Sequence, residues 1–228
     1  MKHFRSLKNW ALLGVVALFA VSCSKSTNNE PLPPIANLAI YQVSPDAPKL
    51  GFRLNNSVLN SDSVPYGTYG YYFNAIAGSR ELTAYQQGTK KVTSTIDLKE
   101  GAIYSAWLTG RWATPEFVLI EDKLVNPSSG KALIRFVNMS IESPALDLVT
   151  NTGTAVVSGK TYKTASEFVE IAGGQNYNFV IRENGNTTDK VVLPSVSIQS
   201  GRIYTIAARG IYNSTGATAL AGDVLINY

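Results

Sequence analysis

Ala36-Asn-Leu38-Ala-Ile40-Tyr-Gln-Val-Ser44 and Ala132-Leu-Ile134-Arg-Phe136-Val-Asn-Met-Ser140 align without a gap, and Pro48 and Pro144 then follow at the same spacing. Two further landmarks recur in the same order. Ile76-Ala-Gly78 matches Ile171-Ala-Gly173, and Gly101-Ala-Ile-Tyr104 through Gly110 matches Gly201-Arg-Ile-Tyr204 through Gly210. All three pairs lie about 95–100 residues apart, so one unit is present twice. Val125-Asn-Pro-Ser-Ser-Gly130 holds turn formers and almost no apolar side chains, and serves as the join. The copies are expected at 36–126 and 130–228, each able to fold alone.

Both copies read as β. Val92, Ser94, Ile96 and Leu98 share one face of an extended run whose other face holds Thr93, Thr95 and Asp97. Tyr204, Ile206 and Ala208 alternate with Ile203, Thr205 and Ala207. A period of two, rich in β-branched and aromatic residues, is the strand pattern. Asn55-Asn56, Gln87-Gly88, Glu100-Gly101 and Asn184-Gly185 punctuate the runs at hairpin intervals. The expected fold is all-β, with a small antiparallel β-sandwich in each copy.

Ahead of the repeat, Lys2, Arg5 and Lys8 precede the apolar run Trp10–Val21, and Ser22 sits directly before Cys23, the single cysteine. The run is about 12 residues, where a bilayer-crossing helix needs about 20. Residues 1–22 therefore read as a secretory signal with a lipoprotein cleavage site, although Ala20 replaces the usual Leu. Cleavage after Ser22 would leave Cys23 acylated at the new terminus. Residues 23–35 would form the lipidated start and a Ser/Asn/Pro-rich tether; its stretch Ser24–Pro34 would span at most roughly 35–40 Å. Ser24 after the cysteine, in place of the Asp that retains lipoproteins at the inner membrane, directs the expectation to the outer membrane, on its periplasmic or surface face.

Removing residues 1–22, with three Lys/Arg and no acids, leaves 17 basic against 16 acidic side chains. A near-neutral surface lacks the field that nucleic acid requires, so nucleic acid is not expected as a partner. The only histidine, His3, leaves with the signal, which removes Ser-His-Asp and Cys-His chemistry and His- or thiolate-bound zinc from consideration. No Gly-rich phosphate loop is present, and no cofactor or metal is implied. Glu116, Glu121 and Asp122, with Glu167 and Glu170, leave a carboxylate-dependent hydrolase as a minor alternative. Asp46 and Asp62 stand outside any EF-hand-like ligand cluster.

Aromatic residues concentrate in the first copy. Tyr66, Tyr69, Tyr71, Tyr72 and Phe73 fall close together, and Trp107 and Trp112 follow. An exposed set of these rings would stack on sugars, so a carbohydrate-binding face is one reading; core packing is the other. Tyr104 and Tyr204 suit a tyrosine corner, whose phenol satisfies a nearby backbone group. Asp62-Ser63-Val64, in an expected exposed turn, resembles an O-glycosylation acceptor at Ser63.

Ser44-Pro-Asp-Ala-Pro48, Val64-Pro-Tyr-Gly67, Ile76-Ala-Gly78 and Gly101-Ala-Ile-Tyr104 resemble the domain-of-unknown-function family DUF4397. In the second copy Ala132 to Ser140, Ile171-Ala-Gly173 and Gly201-Arg-Ile-Tyr204 carry the likeness. The family's usual His falls on Gln42 and Asn138, and Ile141 replaces Pro45. The resemblance implies immunoglobulin-like sandwiches in secreted or lipid-anchored bacterial proteins, with no activity attached. The expected protein is a lipid-anchored, extracytoplasmic, non-enzymatic binding, adhesion or scaffolding module. Its partners would be the membrane, through the anchor, and a glycan or protein ligand.

Overall fold

The structure is a computed structural model that describes residues 31–227. The signal segment, Cys23 and the tether up to Glu30 lie outside the described residues. Nine strands form the first copy: β1 (Ile35–Gln42), β2 (Leu50–Leu54), β3 (Ser57–Val64), β4 (Thr68–Tyr69), β5 (Phe73–Ile76), β6 (Gly78–Gln86), β7 (Thr89–Leu98), β8 (Ile103–Thr109) and β9 (Glu116–Glu121). The second copy repeats them as β10 (Lys131–Ile141), β11 (Leu146–Thr150), β12 (Ala155–Lys160), β13 (Thr164–Ala165), β14 (Val169–Ala172), β15 (Gln175–Glu183), β16 (Asp189–Ile198), β17 (Ile203–Ile211) and β18 (Ala221–Ile226). Among the described residues the only helical turn is 3-10, at Gly216–Thr218.

Each copy is a β-sandwich. Its outer sheet has the order β3-β2-β6-β7 in the first copy and β12-β11-β15-β16 in the second. Its inner sheet runs β4-β1-β8-β9, with β5 also on β1, and correspondingly β13-β10-β17-β18, with β14 on β10. The sheets are not purely antiparallel as expected, because β1–β8 and β10–β17 pair in parallel. Parallel neighbours need a long crossover, and the strands between β1 and β8 supply it. Gln87 (φ 49°) and Gly88 (φ 77°) turn β6 into β7 with two consecutive left-handed residues, the backbone of a type I′ hairpin.

Pairing corrects one landmark by a residue. Ala36 lies opposite Ala75 and Ala132 opposite Ile171, so Gly78 corresponds to Gly174 rather than Gly173. Ala77 and Gly173 then hold equivalent places and donate their N–H groups to Pro34 and Gly130. The two tyrosines behave alike. The phenol oxygen of Tyr104 accepts from the Lys99 N–H at 3.2 Å, and that of Tyr204 from the Gln199 N–H at 2.9 Å.

One parity of each inner-sheet strand fills its own sandwich. Leu38, Tyr104 and Ala106 pack with Leu82, Ile96 and Leu98, and Ile134, Phe136, Tyr204 and Ile206 pack with Leu146, Leu148, Phe179 and Ile181. The other parity faces the other copy. Ala39, Tyr41, Val43 and Trp107 join Val137, Met139 and Ala207 in a third core between the two inner sheets. Strands covered on both faces lose the apolar–polar alternation, and every residue of Ala132–Ile141 is accordingly buried. The copies were expected to be independent units; the third core makes them share an interior.

Candidate functional site

The seam between the inner sheets accounts for most of the aromatic residues that the sequence offered as a binding face. Equivalent positions meet reciprocally across it. The Tyr66 ring lies 4.7 Å from the Arg209 guanidinium carbon, and its counterpart Tyr162 places its hydroxyl 3.2 Å from Oγ1 of Thr109, the counterpart of Arg209. The copies are thus related by a pseudo-two-fold axis, as in an isologous dimer.

At the centre a ring of hydrogen bonds closes across both copies. Arg135 Nη1 meets Asp122 Oδ1 at 2.5 Å, and both side chains are almost wholly buried. Asp122 Oδ2 accepts from the Tyr72 hydroxyl at 2.7 Å, which accepts from Asn227 Nδ2 at 2.9 Å. Asn227 Oδ1 accepts from Thr205 Oγ1 at 2.7 Å, and Thr205 Oγ1 accepts from Arg135 Nε at 2.8 Å. Ser105 Oγ donates to Asp122 Oδ1 and accepts from Trp107 Nε1, both at 3.0 Å. Arg135 Nη2 is buried without a partner, but the closed ring through its Nη1 and Nε still fixes one arrangement of the layers that it joins.

Trp107 is fully buried and packs edge-on to Tyr41, with ring centroids 4.6 Å apart. Tyr69 donates to Asp223 of the second copy at 2.7 Å. Burial pushes the Tyr41 hydroxyl up to about 12, with Asp122 adding to the effect. Burial raises Tyr69 and Tyr72 further, with Asp223 beside the first and Tyr41 and Asp122 beside the second. The expected aromatic ligand face is therefore corrected: Tyr66, Tyr69, Tyr72 and Trp107 belong to the seam, where two apolar sheets need large side chains between them. Trp112 is half-buried against Leu50, Phe52 and Leu108, with Lys91 4.8 Å above its ring. Tyr71 alone stands out, 95% exposed.

Tyr71 marks a groove. At the open edge of the first sandwich, β3 of the outer sheet and β4–β5 of the inner sheet flank a depression of about 440 Å³, lined by Ile40, Phe52, Leu59, Val64, Tyr71 and Phe73 among others. Leu59 and Phe73 also line a second depression of about 250 Å³ that continues the groove past Ile76 to Arg80. Val58, Tyr71 and Ile76 are exposed along it. Asn60, the amide on this edge, is occupied: its oxygen accepts from the Phe52 N–H, and its nitrogen donates to the Leu50 and Ser61 carbonyls. The second copy places Lys160 where the first has Val64, opposite Leu146 and Leu50 respectively. Glu167 stands for Tyr71, Ala172 for Ile76 and the larger Phe136 for Ile40. The apolar edge is a property of the first copy.

A second cleft, about 350 Å³, opens where the seam reaches the surface and is lined by Glu121, Lys123, Arg135, Ser166, Glu167 and Phe168 among others. Its charges are paired, within the cleft or beside it: Lys123 with Glu167 at 3.9 Å, Glu121 with Lys99 at 3.6 Å, and Arg135 through Nη1 with Asp122, its Nη2 being left without a partner. The other acidic candidates are likewise engaged. Glu116 meets Lys163 at 2.5 Å, and Glu170 accepts from the Ser128 N–H at 2.7 Å; the Ser128 hydroxyl, with that N–H, holds the Glu170 carboxyl below the ordinary range. Among the described residues no three His, Cys, Asp or Glu side chains gather as metal ligands would. Ser63 is exposed, but it lies within edge strand β3 rather than in a turn, and its hydroxyl donates to the Ser61 carbonyl at 3.1 Å.

Sequence reasoning did not offer Arg135, Thr205, Asn227, Val58 or Ile76 as site residues; Ile76 and Thr205 entered only as a repeat landmark and a strand position. Arg135 had a visible sign, as the lone charge in the apolar run Ala132–Val137.

A paired β-sandwich protein, with a shared seam and one apolar edge groove, is the class that this geometry defines. The family described as domain of unknown function (DUF4397) matches residues 36–149, half of the chain, and the protein belongs to that family. The match covers the first sandwich from the second residue of β1 onward and ends within β11. No curated protein matches the chain.

Proposed function

We propose that this is a lipid-anchored, extracytoplasmic, non-enzymatic binding protein whose ligand seats in the edge groove of the first sandwich. The observation that carries the reading is the difference between the copies. The first keeps Val58, Val64, Tyr71 and Ile76 along an open edge, and the second has Lys160, Glu167 and Ala172 at the places of the last three. Exposed edges carry a cost that charged residues relieve, so an edge left apolar on one copy alone is a candidate interaction site. The layout Lys2 to Cys23 supports the anchor, and Ser24 directly after the cysteine supports an outer-membrane address. Carbohydrate binding is the weaker reading. Tyr71 supplies a single exposed ring, the groove around it is apolar, and the Asn60 amide is already satisfied.

Two measurements test the proposal. Mass spectrometry of the N-terminal peptide from native membranes is expected to start at Cys23 with a diacylglyceryl adduct, and a peptide starting elsewhere without lipid overturns the anchor. Native mass spectrometry of the extracted protein is expected to show a bound species that Val58→Glu removes. Identical spectra for both proteins, with no bound species, overturn the groove as a ligand site.

A further inference from the structure

We infer that the edge groove takes a single-chain amphiphile with an anionic head, the acyl tail lying under Tyr71 and the head at Arg80. The inference rests on the reading of the groove as the ligand site and supplies its chemistry. The tail follows from the lining: Ile40, Phe52, Leu59, Val64 and Phe73 form its wall, and no ionisable side chain other than the Tyr71 phenol borders this part. Its volume, about 440 Å³, falls within the ordinary range for small-molecule sites, roughly 300–1,000 Å³. The head follows from charge. Arg80 is the one charged side chain lining the continuation of the groove. Its Nε donates to the Ile76 carbonyl at 2.8 Å and its Nη2 to the Ala77 carbonyl at 2.5 Å. The guanidinium is therefore held at the groove's end by neutral oxygens, and its charge stays available to a carboxylate or phosphate, which an arginine fork suits. Asn55 and Asn74 lie with Arg80 at the polar end, whereas a saccharide along the tail portion would meet only the Tyr71 phenol, Thr68 and the occupied Asn60 amide. A peptide adding to the β3 edge would use the backbone and leave Arg80 without a role.

The test uses the full chain carrying Cys23→Ala, purified without detergent, and calorimetric titration with octanoate, decanoate and dodecanoate below their micelle concentrations. One site is expected, with affinity rising up to about fourfold for each methylene buried, the fold-change equivalent of about 0.8 kcal/mol, and levelling once the groove is full. Val58→Glu, an exposed substitution, is expected to weaken dodecanoate at least tenfold. Arg80→Gln is expected to weaken octanoate several-fold while leaving octyl glucoside unchanged. Affinity independent of chain length, indifference to Val58→Glu, or equal binding of octyltrimethylammonium overturns the inference. If the alkyl series fails while native spectra show a species lost in Val58→Glu, the chemistry is wrong and the groove stands. If both fail, the groove itself falls. A bound species that fragments as a peptide replaces the amphiphile with strand addition.

Discussion

Arg135 of the second sandwich and Asp122, immediately after the last strand of the first, meet at 2.5 Å with 2% and 0% of their side chains exposed. Removing one partner of such a pair leaves a buried charge uncompensated, whereas replacing both with neutral groups of similar volume is often harmless. Arg135→Met is therefore expected to cost about 3–5 kcal/mol in urea unfolding. Adding Asp122→Asn to it should recover most of that loss. A double variant as unstable as the sum of the singles would mean that the pair is not coupled.

The shared interior alters the expectation for isolated halves. Residues 36–126 alone would bare Tyr41, Val43 and Trp107, and residues 130–228 alone would bare Val137, Met139 and Ala207. Each fragment is expected to aggregate or to melt without cooperativity, and mixing them should restore a single transition. Sharp independent melts of both fragments would show that the seam is dispensable. Within the whole chain, Trp107→Ala is expected to cost about 3–5 kcal/mol, the usual range for emptying a buried tryptophan site.

Alkali should loosen the seam before it affects the sandwich cores. The folded protein holds the Tyr41 proton up to about 12 against an ordinary value of 10.0, and holds those of Tyr69 and Tyr72 more tightly still. The unfolded chain releases these protons first. Stability from this source is therefore complete below about pH 10 and is lost as pH rises through 12, at up to about 1.4 kcal/mol per pH unit for each phenol. Unfolding followed from pH 8 to 12 should show a midpoint that falls steeply only above 10. Tyr72→Phe should flatten the slope, and a midpoint already falling at pH 9 would contradict the assignment.

Ser63 offers a modification test that is independent of the groove. It is exposed on β3 and bonded only to Ser61. If it carries a glycan, protein from its native host should exceed the cytoplasmically expressed form in mass by more than any lipid accounts for, and Ser63→Ala should remove the excess. Equal masses after allowing for lipid would leave Ser63 a plain strand residue.

The repeat, the strands and the tyrosine pair were legible because each depends on short spacings: a period of two, a Gly turn, a phenol reaching back to a nearby N–H. The seam was less legible. Ile203, Thr205 and Ala207 look like the outward parity of a strand, and only a partner sheet, which no local pattern names, makes them interior. The unbroken run Ala132–Val137 was the available sign of burial on both faces. The groove was hidden for a different reason. Ser57-Val-Leu-Asn-Ser-Asp-Ser-Val64 is polar enough to pass for a loop, and the apolar edge appears only when Val58, Leu59 and Val64 stand against Tyr71 and Phe73 from the facing sheet.

The pseudo-two-fold axis joins halves that have grown unequal. Arg135 faces Asp122, but the counterpart of Arg135 is Ala39 and the counterpart of Asp122 is Asn227. Two first copies placed together would set each buried carboxylate against an alanine, and two second copies would set each buried guanidinium against an amide. Either assembly strands charge in a dry interior. The protein is in effect a heterodimer written on one strand of polypeptide. Its mismatched halves guard against exchange between neighbouring copies of the chain.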